Sequence, residues 1–159
     1  QGFIEETEGR YPFTITAAPS VEECVTGADV ITTITPVTAP IIKDAWISPG
    51  THINAIGADA PGKEELDPAI LKRATIVVDD LHQAAHSGEI NVPLTRGLIT
   101  MKNIHGELSE IIIGKKRGRT AHDEITVFDS TGLSLLDIAT AWIVYQRAQE
   151  KTLGTTLHL

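Results

Sequence analysis

The sequence predicts an α/β domain built on a doubly wound parallel sheet, and three observations carry that prediction. Short runs rich in β-branched residues recur at 30–34, 53–56, 75–78 and 125–128, each of buried-strand length. Helix-patterned stretches with capping residues lie between most of them, and strands alternating with helices imply a parallel sheet. Polar residues stand at or just past the strand ends, at Thr35, Asp59, Asp79 and Ser130. The ligand crevice of an open α/β sheet lies at those ends.

Residues 1–8 are acidic and helix-like with no initiator Met, so they resemble the end of a helix. Residues 13–17 alternate as a short strand. Ser20 with Glu23 forms a capping-box pattern that opens a short helix ending near Gly27. The 30–34 run stops at Thr35-Pro36, because proline cannot donate to a sheet ladder. A helical turn is expected over 43–46, closed by Pro49-Gly50. After the 53–56 strand, Asp67 is an N-cap with Pro68 at the first helical position, and the helix should reach about Arg73. The 75–78 strand leads into Asp79-Asp80, which opens a helix carrying His82 and His86 until Gly88 breaks it. An apolar-rich helix is expected over 104–113, a strand over 125–128 and a polar turn over 129–132. Residues 134–149 have the spacing of a long amphipathic helix, with Ile138, Ala141, Trp142 and Tyr145 expected to pack on the sheet or to lead toward a further domain.

The chain has 159 residues, 42% of them hydrophobic, and a net charge of −8. That length can bury a core, and the acidic balance argues against nucleic-acid binding, which needs clustered cations. The one basic cluster, Lys115 to Arg119, follows an apolar helical run and reads as a solvated loop. Cys24 is the only cysteine, so no internal disulfide forms; a packing role and a reducing cytoplasm are expected. No apolar run approaches the ~20 residues of a membrane span.

The segment 54–63 holds the chemistry. An apolar strand runs into a Gly-rich turn carrying Asp59 and Lys63, where a substrate and a cofactor could meet. An ordinary βα turn, with Asp59 bonded to its own backbone, is the alternative reading. His82 and His86 share a helix face at the spacing of two zinc ligands. The position that would carry a Glu base is Gln83, so no metal site is expected. No nucleophile elbow, P-loop or G-x-G-x-x-G fingerprint occurs. In dinucleotide folds that fingerprint follows the first strand, with the ribose-binding acid further on, so both are expected upstream of Gln1. The chain therefore reads as a partial Rossmann domain lacking its first strands and its Gly-rich fingerprint. In the strand order 3-2-1-4-5-6, that loss is expected to remove the middle of the sheet and to separate the 13–17 strand from the rest. Such a fragment should expose edges and apolar surface. It is expected to be a partial product or to be completed by another copy or segment, and to be inactive alone.

Segment 54–63, together with 86–94 and 127–132, resembles the ornithine cyclodeaminase/μ-crystallin family, over roughly residues 1–147. The 86–94 segment favours its archaeal-type alanine dehydrogenase branch. The resemblance implies an NAD(P)-binding Rossmann domain over 1–147 and a tail over 148–159 leading to a dimerisation domain. It also implies NAD as cofactor, with NADP as the alternative, a homodimer at full length, and an amino acid as substrate. Asp59 matches the family's catalytic aspartate. Thr35, Asn54, Ala55, Ile56, Lys63 and Ser130 match positions at the cofactor. The implied reaction converts L-alanine and NAD to pyruvate, ammonia and NADH through an imino acid. Cyclisation of ornithine to proline is an alternative, as is a non-enzymatic role in holding a nicotinamide cofactor and a small ligand.

Overall fold

The computed structural model describes residues 2–7 and 9–155. Five short strands make the frame: β1 (Val30–Thr33), β2 (His52–Ala55), β3 (Thr75–Val78), β4 (Ile104–Glu107) and β5 (Thr126–Asp129). All pair in parallel, in the order β1-β2-β5-β3-β4, so the last strand slots between the second and the third. This is the expected α/β, Rossmann-like architecture. The expected break in its middle is not there, because the five described strands are contiguous and β1 forms one edge. Val30 and Ile34 stand exposed at that edge.

Alternation along the strands decides what covers them. Ile31, Ile53, Val127 and Ile76 lie side by side across the sheet on one face. They join Ile42, Ile70, Leu71, Ala84, Ile90 and Ile99 in a single apolar core. The helices α2 (Val21–Val25), α3 (Pro68–Arg73), α4 (Leu81–Ser87) and α5 (Asn91–Thr95) supply residues to that face or border it. On the opposite face Asn54, Thr126 and Phe128 are half-buried and Thr32 is exposed. His52 there bonds Thr126 Oγ1 at 2.7 Å and Asn54 Oδ1 at 3.1 Å, and Asn54 donates to Thr32 Oγ1. The described sheet is thus packed on one face, not buried on both as β-branched strand runs led one to expect.

Local chemistry sets the helix starts. Ser20 accepts from Glu23 N–H, Asp67 from Ala69 N–H and Asp80 from Gln83 N–H, the last at 2.7 Å. Pro68 begins α3 as expected, and Lys43 precedes a single 3-10 turn over Asp44–Trp46.

Four expectations are corrected. Residues 13–17 form no strand: no described strand pairs with them, and Phe13 is exposed, its ring stacked on Tyr11 at 5.2 Å. Residues 104–113 are not one helix. Ile104–Glu107 joins the open edge of β3, where the ladder satisfies its backbone and Gly106 carries no helix penalty. Only then does α6 (Leu108–Ile112) begin, behind a capping box of Glu107 and Glu110. The helix α7 (Ser134–Glu150) buries none of its residues among the described ones, and Leu135, Ile138, Trp142 and Tyr145 are all exposed. Its apolar spacing belongs to a face that nothing described covers. Cys24 is likewise exposed and not a packing residue.

The amino-terminal helix α1 spans Gly2–Thr7; Gln1 and Glu8 of the expected helical segment lie outside the described residues. The helix α7 runs through the expected boundary at 147/148, and 156–159 of the expected tail also lie outside the described residues. No described helix is long and apolar enough to cross a membrane.

Candidate active site

The carboxyl ends of β1, β2 and β5 frame a crevice of about 420 Å³. Thr35 and Pro36 enter from the loop after β1, Ile56, Gly57, Asp59 and Lys63 from the loop after β2, and Ser130, Thr131 and Gly132 from the loop after β5. Of the residues proposed from sequence, Thr35, Ile56, Asp59, Lys63 and Ser130 therefore come together. Asn54 and Ala55 do not line this crevice. Asn54 faces the open side of the sheet, and Ala55 is buried, its carbonyl accepting Ser130 N–H at 3.0 Å. A larger, mostly apolar cavity of about 510 Å³ lies elsewhere, lined by Val30, His52, Phe128 and Ile111, away from the strand ends that carry the acid.

Asp59 and Lys63 face one another across the turn and form an ion pair. Lys63, by hydrogen bond and by charge, holds the Asp59 carboxyl below its ordinary range. Asp59 is exposed and Lys63 half-buried, so the carboxylate is ionised and open to a molecule in the crevice.

The crevice walls are fixed by other acids. Asp79, at the end of β3, accepts from Thr131 N–H at 2.6 Å, Gly132 N–H at 3.0 Å and the hydroxyls of Thr131 and Ser130. Asp79 was expected to line the crevice; its carboxylate instead holds the wall from behind. On the other side Glu65, fully buried, accepts from Thr35 N–H and Thr35 Oγ1, both at 2.7 Å, and from Gly57 N–H at 2.9 Å. Gly57 is required there, since a Cβ would lie 2.5 Å from Thr35 N and 2.6 Å from the Glu65 carboxyl carbon. Two further buried acids stand behind Glu65. Glu89 is pushed up to about 8 and Asp129 to about 7, in both cases because burial disfavours the charge. Sequence reasoning passed over Glu65, Glu89 and Asp129, although acids with apolar neighbours in segments of core-like patterning were the available signal.

His82 and His86 are exposed, and among the described residues no group of three His, Cys, Asp or Glu side chains could hold a metal ion. The basic cluster is a loop in which Lys115 and Lys116 pair with Glu110 and Arg119 donates to Gly50 O at 2.8 Å.

The profile of the ornithine cyclodeaminase/mu-crystallin family matches residues 1–152. The chain belongs to that family. It is 50% identical over 143 residues to an alanine dehydrogenase of Archaeoglobus fulgidus, an alignment covering 90% of this chain and 44% of that protein. Two solved family structures superpose closely. An archaeal alanine dehydrogenase dimer with bound NAD gives a TM-score of 0.89 at 47% identity, over 99% of this chain and 48% of that one. The Δ1-pyrroline-2-carboxylate reductase of Thermococcus litoralis, in complex with NADH and L-proline, gives 0.90 at 35% identity, over 98% and 49%. The family chain described here thus spans about half the length of these relatives.

Proposed function

We propose that this chain supplies the nicotinamide side of an NAD(P)-dependent amino acid oxidoreductase, and that the full-length protein is an alanine dehydrogenase acting as a homodimer. The observation that carries this reading is the convergence of Thr35, Gly57, Asp59, Lys63 and Ser130 on one crevice at the carboxyl ends of parallel strands. The identity to the Archaeoglobus fulgidus enzyme supports the choice of L-alanine. The residues present fit the cofactor: Thr35, Ile56 and Ser130 meet in one crevice at the strand ends, and the hydroxyl oxygens of Thr35 and Ser130, whose protons go to Glu65 and Asp79, keep lone pairs that can accept from it. NAD, when bound, supplies the hydride acceptor. Residues 1–147 form the nucleotide-binding part and 148–159 lead toward a dimerisation domain.

Asp59 does the proton chemistry. Its carboxylate accepts a proton from the substrate ammonium, freeing the amine so that the C–N bond gains double-bond character as hydride leaves Cα. It passes that proton to solvent and, ionised again, accepts one from the water that adds to the imino acid; returned to the nitrogen, this proton lets ammonia leave as the new hydroxyl gives up its own proton to the carboxylate, and pyruvate remains. Lys63 keeps Asp59 ionised until substrate enters. Thr35, Ile56 and Ser130 contact the nucleotide, while Asn54 and Ala55 act one layer behind, Ala55 by holding the Ser130 amide.

The test is NADH formation by the full-length protein with L-alanine. Asp59→Asn is expected to lower kcat about 10²- to 10⁴-fold while NADH binding changes little. A second reading, reduction of a cyclic imine, draws on the equally close superposition of the pyrroline-carboxylate reductase. NADH oxidation with Δ1-pyrroline-2-carboxylate and none with pyruvate plus ammonia would select it.

A further inference from the structure

Three buried carboxylates are linked head to tail. Asp129 Oδ1 and Oδ2 accept from the amides of Glu89 and Ile90, at 3.0 and 3.1 Å. Glu89 accepts from the amides of Glu65 and Leu66, at 3.0 and 2.6 Å. Glu65 accepts from the amides of Thr35 and Gly57. Each acid thus grips the backbone that carries the next one, and the last grips the loops after β1 and β2, which meet at Thr35 and Gly57 and both line the crevice. All three side chains are fully buried. None lines the crevice.

Burying three acids close enough for neighbouring charges to repel is costly, and a packed apolar trio would serve a merely stable core as well. What apolar side chains cannot do is hold six backbone amides at fixed positions. Two glycines leave room for the arrangement: a Cβ at Gly88 would stand 2.6 Å from Asp129 Oδ2, and one at Gly57 would strike Glu65. The chain of contacts runs from the sheet centre, where Asp129 sits between Ala55 and Val78, out to the crevice wall.

We propose that Asp129, Glu89 and Glu65 are positioning residues acting in series, which place the Thr35 and Gly57 loops and thereby set the affinity of the crevice for a nicotinamide nucleotide. The proposal rests on the nucleotide reading above. Series action has a signature that independent structural contacts lack, which is that loosening travels toward the crevice and not away from it.

The experiment is hydrogen–deuterium exchange by mass spectrometry on the full-length protein without nucleotide, paired with NADH titration. A glutamine at 65 offers one acceptor oxygen where the carboxylate offers two. Glu65→Gln is therefore expected to speed exchange about tenfold at Thr35 or Gly57, leaving the amides of Glu65 and Leu66 protected. Glu89→Met is expected to expose the amides of Glu65 and Leu66 and, through them, those of Thr35 and Gly57. Asp129→Asn probes the same link one step further back should Glu89→Met not fold. In the titration Glu65→Gln is expected to raise the NADH Kd about 10- to 100-fold, and the Glu65→Gln/Glu89→Met double variant to lose little more than the worse single one. Faster exchange confined to Glu65 and Leu66 in Glu89→Met overturns the series, as does additive loss in the double variant. If the unmutated protein binds NADH and Glu65→Gln binds it equally well, the positioning role fails alone. If the unmutated protein binds no NADH, the nucleotide reading fails with it, and the exchange pattern still decides whether the acids act in series.

Discussion

At Gly57 a single hydrogen atom where other residues carry a methyl group decides whether two loops can meet. An added Cβ would lie between Thr35 and Glu65, both backbone-anchored, so neither can yield cheaply. Gly57→Ala is expected to cost at least about 2 kcal/mol by overpacking, read as a lower denaturant midpoint. Gly62 offers the contrast. Nothing lies near its Cβ direction but its φ is +84°, so Gly62→Ala is expected to cost about 1–2 kcal/mol through left-handed backbone alone. Glu89 carries a pH prediction. Its folded value of about 8 exceeds the ordinary 4.5, so between those values the native chain holds a proton that the unfolded chain has released. The resulting contribution is full below about pH 4.5 and fades as pH rises toward 8. Glu89→Gln mimics the protonated form. Denaturant midpoints measured across that window should fall less steeply with pH in Glu89→Gln than in the unmutated protein.

The elements differ in how far local sequence determines them. Asp67-Pro68 and Asp80 were legible because an N-cap acts over two or three residues: Asp80 meets Gln83 N–H at 2.7 Å, as the pattern indicates. Asp80→Ala is expected to cost about 1 kcal/mol, measurable by thermal melting. The strand β4 was not legible. Its apolar composition suits a helix equally, and only the vacant edge of β3 makes the strand the better partner for residues 104–107. The crevice residues Thr35, Asp59 and Ser130 were readable from their places after strands. The acids behind them were not, since their bonds span 24, 30 and 40 residues and leave no periodic trace. What covers α7 was not legible either: an apolar stripe announces that something covers it, not what.

At the scale of the whole molecule, one sheet face is packed, the other is half open, and α7 stands with Leu135 69% exposed and Trp142 stacked on Tyr145 at 5.7 Å. Apolar surface of this extent on one helix binds other apolar surface. The 159-residue chain by itself is therefore expected to bind a hydrophobic dye strongly, and Ile138→Ser with Trp142→Ser to lower that signal without loss of sheet content by circular dichroism. The strand order also bears on biosynthesis. With β5 inserted between β2 and β3, a nascent chain emerging from the ribosome first makes two separate pairs, β1 with β2 and β3 with β4. Asp129, the origin of the acid series, arrives with the strand that joins them. Within the sheet the binding surface is thus completed only by its last strand, and a chain stalled before Thr126 has both halves of the sheet and no place for a ligand.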